Sequence, residues 1–153
     1  MKSPLVTMLI ARLLAVVLLL VVLLALTGAD AHGGDLAAPE LPAGRAPAAA
    51  ISQTGHYNAA ALSQHGGQLS LAARQSGDAN LAVLSQQGWE NAGGVLQNGF
   101  ANDAAIIQAG IGNRAWIDQI GNLNDARIEQ RGDGASARIT QIGDGKHAVL
   151  IQH

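Results

Sequence analysis

The 153-residue sequence contains no cysteine, only 3% aromatic residues and only 13% charged residues. The lack of cysteine excludes a disulfide-stapled scaffold, a thiolate metal site and a cysteine nucleophile. The formal charge of −2 argues against a protein whose main task is to bind nucleic-acid phosphates, because that task needs a dense basic face. Yet 48% of the residues are apolar and 19 are glycine. A chain that is so apolar, with so few aromatic side chains, needs an explanation.

Part of the apolar content lies at the N-terminus. Residues 5–26 form a nearly unbroken apolar run, preceded by Lys2 and followed by Ala29-Asp-Ala31, a small-x-small cleavage pattern. Its strictly apolar part, residues 13–26, is shorter than the ~20 residues of a membrane-spanning helix. We therefore predict a secretory signal peptide at residues 1–31, with an uncleaved anchor as the alternative. Residues 32–47, rich in Ala, Gly and Pro, are predicted to form a flexible linker.

Glutamine recurs every eleven residues through the rest of the chain. The ten positions are Gln53, Gln64, Gln75, Gln86, Gln97, Gln108, Gln119, Gln130, Gln141 and Gln152. A glycine follows two residues after each of the first nine, at Gly55, Gly66, Gly77, Gly88, Gly99, Gly110, Gly121, Gly132 and Gly143. An asparagine lies five residues after six of them, at Asn58, Asn80, Asn91, Asn102, Asn113 and Asn124. Self-similarity at a fixed period indicates a repeat architecture.

The repeat unit is Gln-x-Gly-x-x-Asn-x-Ala-x-φ-x, where φ is apolar and Leu71 and Gly93 are the two departures from alanine. Eleven residues fit either three turns of a helical coil or one strand and one turn. Asn, Ala, φ and the next Gln alternate by two, which is the spacing of one face of a strand. A helix would also have to accommodate a glycine in every copy, at up to ~1 kcal/mol each. We therefore predict strands near residues 48–53, 58–64, 69–75, 80–86, 91–97, 102–108, 113–119, 124–130, 135–141 and 146–152.

Identical residues stay in register if each Gly-x-x segment turns the chain back across a narrow core. Residues two repeats apart then lie above one another, two strands form a rung, and about five rungs rise by ~4.8 Å each. The predicted fold class is all-β: a two-sheet parallel, cross-β solenoid over residues 48–153. Inward Ala and φ side chains form a thin core, and the Gln and Asn side chains listed above form stacking ladders. Because the repeat continues to Gln152, we expect exposed strand edges that favour end-to-end polymerisation.

The repeat unit resembles the curlin repeat of bacterial curli amyloid fibres over residues ~48–153. Within that family, the segments 102–108, 113–119 and 146–152 resemble the minor curlin nucleator more than the major curlin. The resemblance implies a secreted protein that passes a curli outer-membrane secretion channel and folds at the bacterial cell surface into the extracellular fibre of the curli fimbrium. It implies a role in adhesion and biofilm matrix, with the major curlin subunit, further copies of itself and a surface-anchoring accessory protein as partners.

Under this interpretation the inward side chains of the first and last rungs form the templating surface. These are Ile51, Gln53, Asn58, Ala60, Leu62 and Gln64 at one edge, and Gln130, Ala137, Ile139, Gln141, Ala148, Leu150 and Gln152 at the other. The alternatives are a major curlin fibre subunit and a monomeric β-solenoid binding module. The outward positions hold mixed residues, whereas a solenoid binder would need a regular outward row of Thr or aromatic residues.

No catalytic, cofactor or metal site is expected. The five histidines share no metal-ligand spacing, and Ser52, Ser63 and Ser85 lack a His–carboxylate partnership. We therefore predict that the protein is not an enzyme and requires neither a small-molecule substrate nor nucleic acid. Trp116 and Arg138, two repeats apart on the outer face, are expected to stack as a cation–π pair.

Overall fold

A computed structural model describes residues 47–153 of the chain. The predicted signal peptide and the linker up to residue 46 lie outside the described residues. No helix within residues 47–153 is long and apolar enough to cross a membrane.

Residues 47–153 form ten strands. They are β1 (Ala48–Thr54), β2 (Ala59–Gly67), β3 (Ser70–Asp78), β4 (Leu81–Trp89), β5 (Ala92–Phe100), β6 (Asp103–Ile111), β7 (Arg114–Ile120), β8 (Asp125–Arg131), β9 (Ser136–Ile142) and β10 (His147–Gln152). Each strand begins within one residue of its predicted start. Strands β2 to β6 run three residues beyond their predicted ends, because pairing between β2 and β4, β3 and β5, and β4 and β6 continues through the turn glycines.

The strands form two parallel five-stranded sheets, ordered β1-β3-β5-β7-β9 and β2-β4-β6-β8-β10. Each strand pairs with the strand two repeats further along, so that Gln75 is opposite Gln97 and Ile106 is opposite Ile128. One odd-numbered and one even-numbered strand make a rung, and five rungs make the stack. The predicted two-sheet parallel β-solenoid is therefore confirmed.

The core lies between the two sheets and consists mainly of alanine and branched apolar side chains. It contains Leu71, Ala73, Ala82, Leu84, Val95, Ala104, Ile106, Ala115, Ile117, Ala126, Ile128, Ala137 and Ile139. The two departures from the alanine position compensate for each other. Leu71 and Gly93 are register partners, and a Cβ added to Gly93 would lie 3.0 Å from Leu71 Cδ2. The larger side chain on one rung therefore occupies the space that the missing side chain leaves on the next.

Each turn contains two backbone positions in the left-handed region. The glycine two residues after Gln has φ between 100° and 136°, and the residue two positions later has φ between 54° and 71°. In the first seven turns the first position also tolerates no side chain, because a neighbouring rung lies too close: a Cβ on Gly110 would lie 1.9 Å from the carbonyl oxygen of Gly132. The second position is open, since a Cβ on Gly112 would meet nothing within 4 Å. It is occupied by glycine in three turns and by other residues in six.

Two glycines outside the turn positions lie beneath the two tryptophans. Gly67 pairs with Trp89 and Gly94 pairs with Trp116, each on the neighbouring rung of the same sheet. A Cβ on Gly67 would lie 2.2 Å from Trp89 Cζ3, and a Cβ on Gly94 would lie 2.8 Å from Trp116 Nε1. Each indole therefore covers the bare backbone of the preceding rung, and the bulky rings remain on the outer face instead of entering the thin core.

The two glycines of one turn, Gly110 and Gly112, provide a matched test of close rung stacking. We expect Gly112→Ala to cost about 1 kcal/mol, the usual strain of a left-handed alanine. We expect Gly110→Ala to cost several times more, because its methyl group must also displace the backbone of the next rung. The guanidinium chloride concentration that dissolves or unfolds the stack measures both effects, and equal midpoints for the two variants would contradict close stacking at Gly110.

The tryptophan–glycine pairs should respond independently. In a Trp89→Phe background, Gly94→Ala should push the Trp116 indole away from the sheet and shift its fluorescence emission to longer wavelength. In a Trp116→Phe background, the same Gly94→Ala change should leave the Trp89 emission unaltered. A Trp116 emission that does not respond to Gly94→Ala would show that the indole does not rest on that glycine.

Candidate functional site

The ten repeat glutamines form two columns that run the length of the stack. In one column Gln53, Gln75, Gln97, Gln119 and Gln141 are joined by Nε2–H···Oε1 hydrogen bonds of 2.6–2.9 Å. The other column contains Gln64, Gln86, Gln108, Gln130 and Gln152, with distances of 2.7–3.3 Å. In both columns the donor is always the earlier residue. The ladders therefore have a direction, from the N-terminal rung to the C-terminal rung.

Each repeat glutamine after Gln53 also donates from its amide to the backbone of the other sheet. Gln75 Nε2 donates to the Ala59 carbonyl at 2.9 Å, and Gln97 Nε2 donates to the Leu81 carbonyl at 2.8 Å. Both amide hydrogens of an interior glutamine are thus used, which explains how fully buried polar side chains are tolerated. No buried side-chain nitrogen or oxygen within the described residues lacks a hydrogen-bond partner. The columns bind rung to rung and sheet to sheet at once.

The asparagines hold the turns. Asn80 Nδ2 donates to the Gly99 carbonyl on the next rung at 2.9 Å, and its Oδ1 accepts the backbone N–H of Asn102 at 3.2 Å. Asn58, Asn91, Asn102, Asn113 and Asn124 donate in the same way to the turn glycine of the next rung. One asparagine column contains Asn58, Asn80, Asn102 and Asn124 and is followed by Lys146, and the other contains Asn91 and Asn113 between Leu69 and Ala135. The glutamine columns span all five rungs, whereas the asparagine columns do not.

A further set of turn residues takes part in stacking that the repeat pattern did not identify. The carboxylates of Asp78, Asp133 and Asp144 accept the backbone N–H groups of His56, Ile111 and Asn122, each one rung earlier, at 2.7–2.8 Å. Asn122 Oδ1 accepts the Phe100 N–H at 3.0 Å. The available signal was the recurrence of Asp or Asn three residues after Gln, beside the turn glycine. It was missed because other residue types share this position.

Charged side chains pair across the outer faces. Glu129 is buried to 8% exposure between Arg127 and Arg131, with its carboxylate oxygens 2.8 and 2.5 Å from their guanidinium nitrogens. Hydrogen bonds from Arg127, and to a lesser extent from Arg131, hold the pKa of Glu129 below its usual value of 4.5. Burial of the carboxylate acts in the opposite direction and raises this pKa, but it does not outweigh the two arginines. Because the pKa is lowered, this cluster stabilises the folded chain at neutral pH, and the stabilisation is lost as the pH falls through the lowered pKa.

The expected stacking of Arg138 on Trp116 gives way to an ion pair. Arg138 Nε donates to Asp118 Oδ2 at 2.9 Å, and Nη2 contacts the same oxygen. Two histidines lie beside carboxylates one rung away: His56 Nδ1 is 3.4 Å from Asp78 Oδ1, and His147 Nδ1 is 3.2 Å from Asp125 Oδ2. These pairs are solvent-exposed. Within residues 47–153, no group of three or more His, Asp or Glu side chains is placed to hold a metal ion.

The first and last rungs have unpaired strand edges. In the part of the chain that the structure describes, β1 and β2 pair only with β3 and β4, and β9 and β10 pair only with β7 and β8. The inward residue Ile51 is 50% exposed, whereas its register equivalent Ile117 is fully buried. An unpaired parallel edge with exposed inward side chains is a template for another strand.

Sequence comparison identifies the repeats. The family model described as "Curlin associated repeat" matches the chain twice, over residues 88–121 and 121–153. The chain contains curlin-associated repeats. The earlier repeats share the same spacing of Gln, Gly and inward apolar residues, and they form the first rungs of the same stack. A search of curated proteins gave no match.

Curlin repeats support the role of a curli subunit that assembles with itself into extracellular fibres. Parallel in-register strands with glutamine and asparagine columns are also the physical hallmarks of cross-β fibres.

The adjacent Gln86 and Gln87 allow the ladder contribution to be measured. Gln86 donates to Gln108 Oε1 at 2.7 Å and to the Ser70 carbonyl at 3.1 Å, whereas the Gln87 side chain is exposed on the outer face. We expect Gln86→Leu to destabilise the stack by about 1–3 kcal/mol, because the Ser70 carbonyl and Gln108 Oε1 lose their donor inside the core. Gln87→Leu should change stability by less than ~0.5 kcal/mol. Denaturant midpoints that fall together for the two variants would contradict a stabilising role of the ladder.

Proposed function

We propose that this curlin-repeat protein is a structural subunit of the extracellular curli amyloid fibre, and that it acts as the minor subunit that nucleates polymerisation of the major curlin at the cell surface. The observation that carries the proposal is the pair of uncovered parallel edges in a stack whose polar columns are otherwise saturated. A strand from another curlin that joins either edge gains backbone hydrogen bonds, a glutamine column and burial of inward apolar side chains in one step.

The nucleating role is supported by the regularity of the repeats. Every turn contains its glycine, and no position five residues after a repeat glutamine is serine, so that successive rungs are nearly equivalent. A regular stack offers an ordered edge as soon as it folds. The proposed subunit is exported by the signal peptide at residues 1–31, passes a curli outer-membrane secretion channel with residues 32–47 as its leading segment, and serves adhesion and the biofilm matrix. Surface attachment would use an accessory anchoring protein.

Assembly of the proposed secreted form, residues 32–153, tests the fibre proposal directly. We expect thioflavin T-positive fibres with a ~4.7 Å diffraction spacing along the fibre axis. A chain that stays soluble and monomeric under conditions where other curlins assemble would contradict a fibre role and favour a monomeric β-solenoid binding module.

The nucleating role requires a separate measurement. Substoichiometric amounts of this chain should abolish the lag phase of major-curlin polymerisation, because a preformed edge replaces the slow formation of the first rung. The control is an equal amount of the Gly110→Ala variant, whose stack is expected to be impaired. Fibre formation by the chain alone, without an effect on the lag, would assign it to the major-subunit class.

A further inference from the structure

The two edges of the stack carry opposite hydrogen-bonding groups. Since each glutamine donates to the one on the next rung, the first glutamines, Gln53 and Gln64, present Oε1 acceptors that no preceding glutamine in the described chain uses. The last ones, Gln141 and Gln152, each donate one hydrogen to a carbonyl of the opposite sheet. Their second Nε2 hydrogen has no following glutamine within residues 47–153. The C-terminal edge therefore donates where the N-terminal edge accepts, whereas two like edges would oppose donor to donor or acceptor to acceptor.

The repeat register continues across such a junction. Because ten strands make five whole rungs, β1 of a second copy would follow β9, and β2 would follow β10. The same two-repeat register would then place Gln53 of the second copy beside Gln141 and Pro47 beside Ala135. Within the chain, the backbone N–H of Ala135 donates to the Asn113 side chain of the preceding rung. Ala135 itself offers no such side-chain acceptor to Pro47 of the second copy, but proline has no N–H that would need one. The column of Asn113, Ala135 and Pro47 therefore crosses the junction without leaving a backbone donor unpaired.

Charged residues also match at the junction, in the turns that follow β1 and β9. At the N-terminal edge, Asp78 Oδ1 accepts the His56 backbone N–H at 2.7 Å and lies 3.4 Å from the His56 ring. At the C-terminal edge, the residue three positions after the repeat glutamine, which is equivalent to His56 and Asp78, is Asp144. Its carboxylate accepts the Asn122 N–H. The continued register places Asp144 one rung before His56 of the second copy. The chain already contains a histidine one rung after an aspartate, at Asp125 and His147, with a nitrogen–oxygen distance of 3.2 Å.

We propose that, where the C-terminal edge of one copy stacks on the N-terminal edge of the next, the seam holds the His56 imidazole between Asp144 of the preceding copy and Asp78 of its own. The inference rests on the proposed fibre function and adds to it the charged contact of the junction. A protonated His56 places one positive charge between two carboxylates. The seam should therefore strengthen as the pH falls through the range in which histidine gains its proton.

Other groups near the seam set the conditions of the test. The Tyr57 ring lies beside His56 with centroids 6.4 Å apart. In the continued register, Lys146 faces Asn58, and His147 faces Ala59 and keeps its contact with Asp125. His153 faces His65, and protonation of this pair would weaken the seam in the same pH range. The pH experiment therefore uses a His65→Asn background, which removes the opposing pair.

The absence of natural cysteine allows the polarity of the seam to be read by disulfide formation. Thr54→Cys and Ile142→Cys place one thiol on each edge in the same outward column, and adjacent rungs at ~4.8 Å lie within the Cα–Cα range of disulfides. Fibres grown from an equal mixture of the two single variants should give mixed 54–142 dimers on oxidation. Homodimers of either variant would indicate like edges in contact and overturn the proposal.

A double variant, Ile120→Cys with Ile142→Cys, calibrates the reaction within one chain, because these residues are register partners. If the first pair does not assemble, Ser52→Cys with Thr140→Cys reads the neighbouring outward column. Thioflavin-positive fibres without any 52–140 or 54–142 dimer would overturn the seam while leaving the fibre function intact. A wild-type chain that forms no fibres would overturn both.

The charged contact is tested by the concentration of soluble chain that remains at equilibrium with fibres at pH 8 and pH 6. In the His65→Asn background this concentration should fall by about threefold or more on acidification, the size expected of an exposed ion pair. Asp144→Asn and His56→Asn should each remove most of that fall, and their combination should add little to either. Asp133→Asn, which alters a turn carboxylate bonded within its own chain, should keep the full response. If the His65→Asn protein showed the same fall in soluble concentration with and without the Asp144→Asn change, the proposed contact would be contradicted.

Discussion

The structure depends on one constraint: residues two repeats apart must lie directly above one another. Backbone pairing, both glutamine columns, the asparagine–glycine bonds and the carbonyl contacts of the turns all depend on this register. A slip of one residue would move every inward side chain to the outer face, so that buried glutamines would meet solvent and charged residues would enter the core. No single contact is strong, but all of them fail together when the register is lost. The repeat is therefore maintained by cooperation among contacts of modest individual energy.

The thin core explains the unusual composition. Two facing sheets leave space for alanine and one branched side chain per strand, and that space is already filled where Leu71 adjoins Gly93. An inward aromatic ring would force the sheets apart at every neighbouring rung, because interiors are close-packed. Both tryptophans therefore lie on the outer face, each above a glycine. The apolar fraction that initially suggested a globular core belongs partly to the predicted export signal and partly to this alanine-rich stack.

The eleven-residue repeat was sufficient to predict the strands, their parallel pairing and the inward positions, because periodic spacing reflects backbone geometry directly. Features that depend on contacts between particular rungs could not be read in the same way. The Leu71–Gly93 and Trp116–Gly94 pairs require side-chain volumes to be compared between neighbouring rungs. The turn position held by Leu123 has positive φ without a glycine to mark it. The preference of Arg138 for Asp118 over Trp116 reflects a nearby carboxylate that offers a stronger contact than the indole face.

The same geometry gives a physical basis for the proposed role of a folded stack as a template. The first rung of an isolated chain must lose conformational freedom in two strands and a turn before any neighbouring rung returns hydrogen bonds, so its formation is unfavourable. Each later rung is added to an existing edge and immediately gains a full ladder. An exposed edge from a chain that has already folded therefore removes the unfavourable step for the next chain. Because the glutamine columns have a direction, the two edges of such a template are chemically different surfaces, and growth from them need not proceed at the same rate.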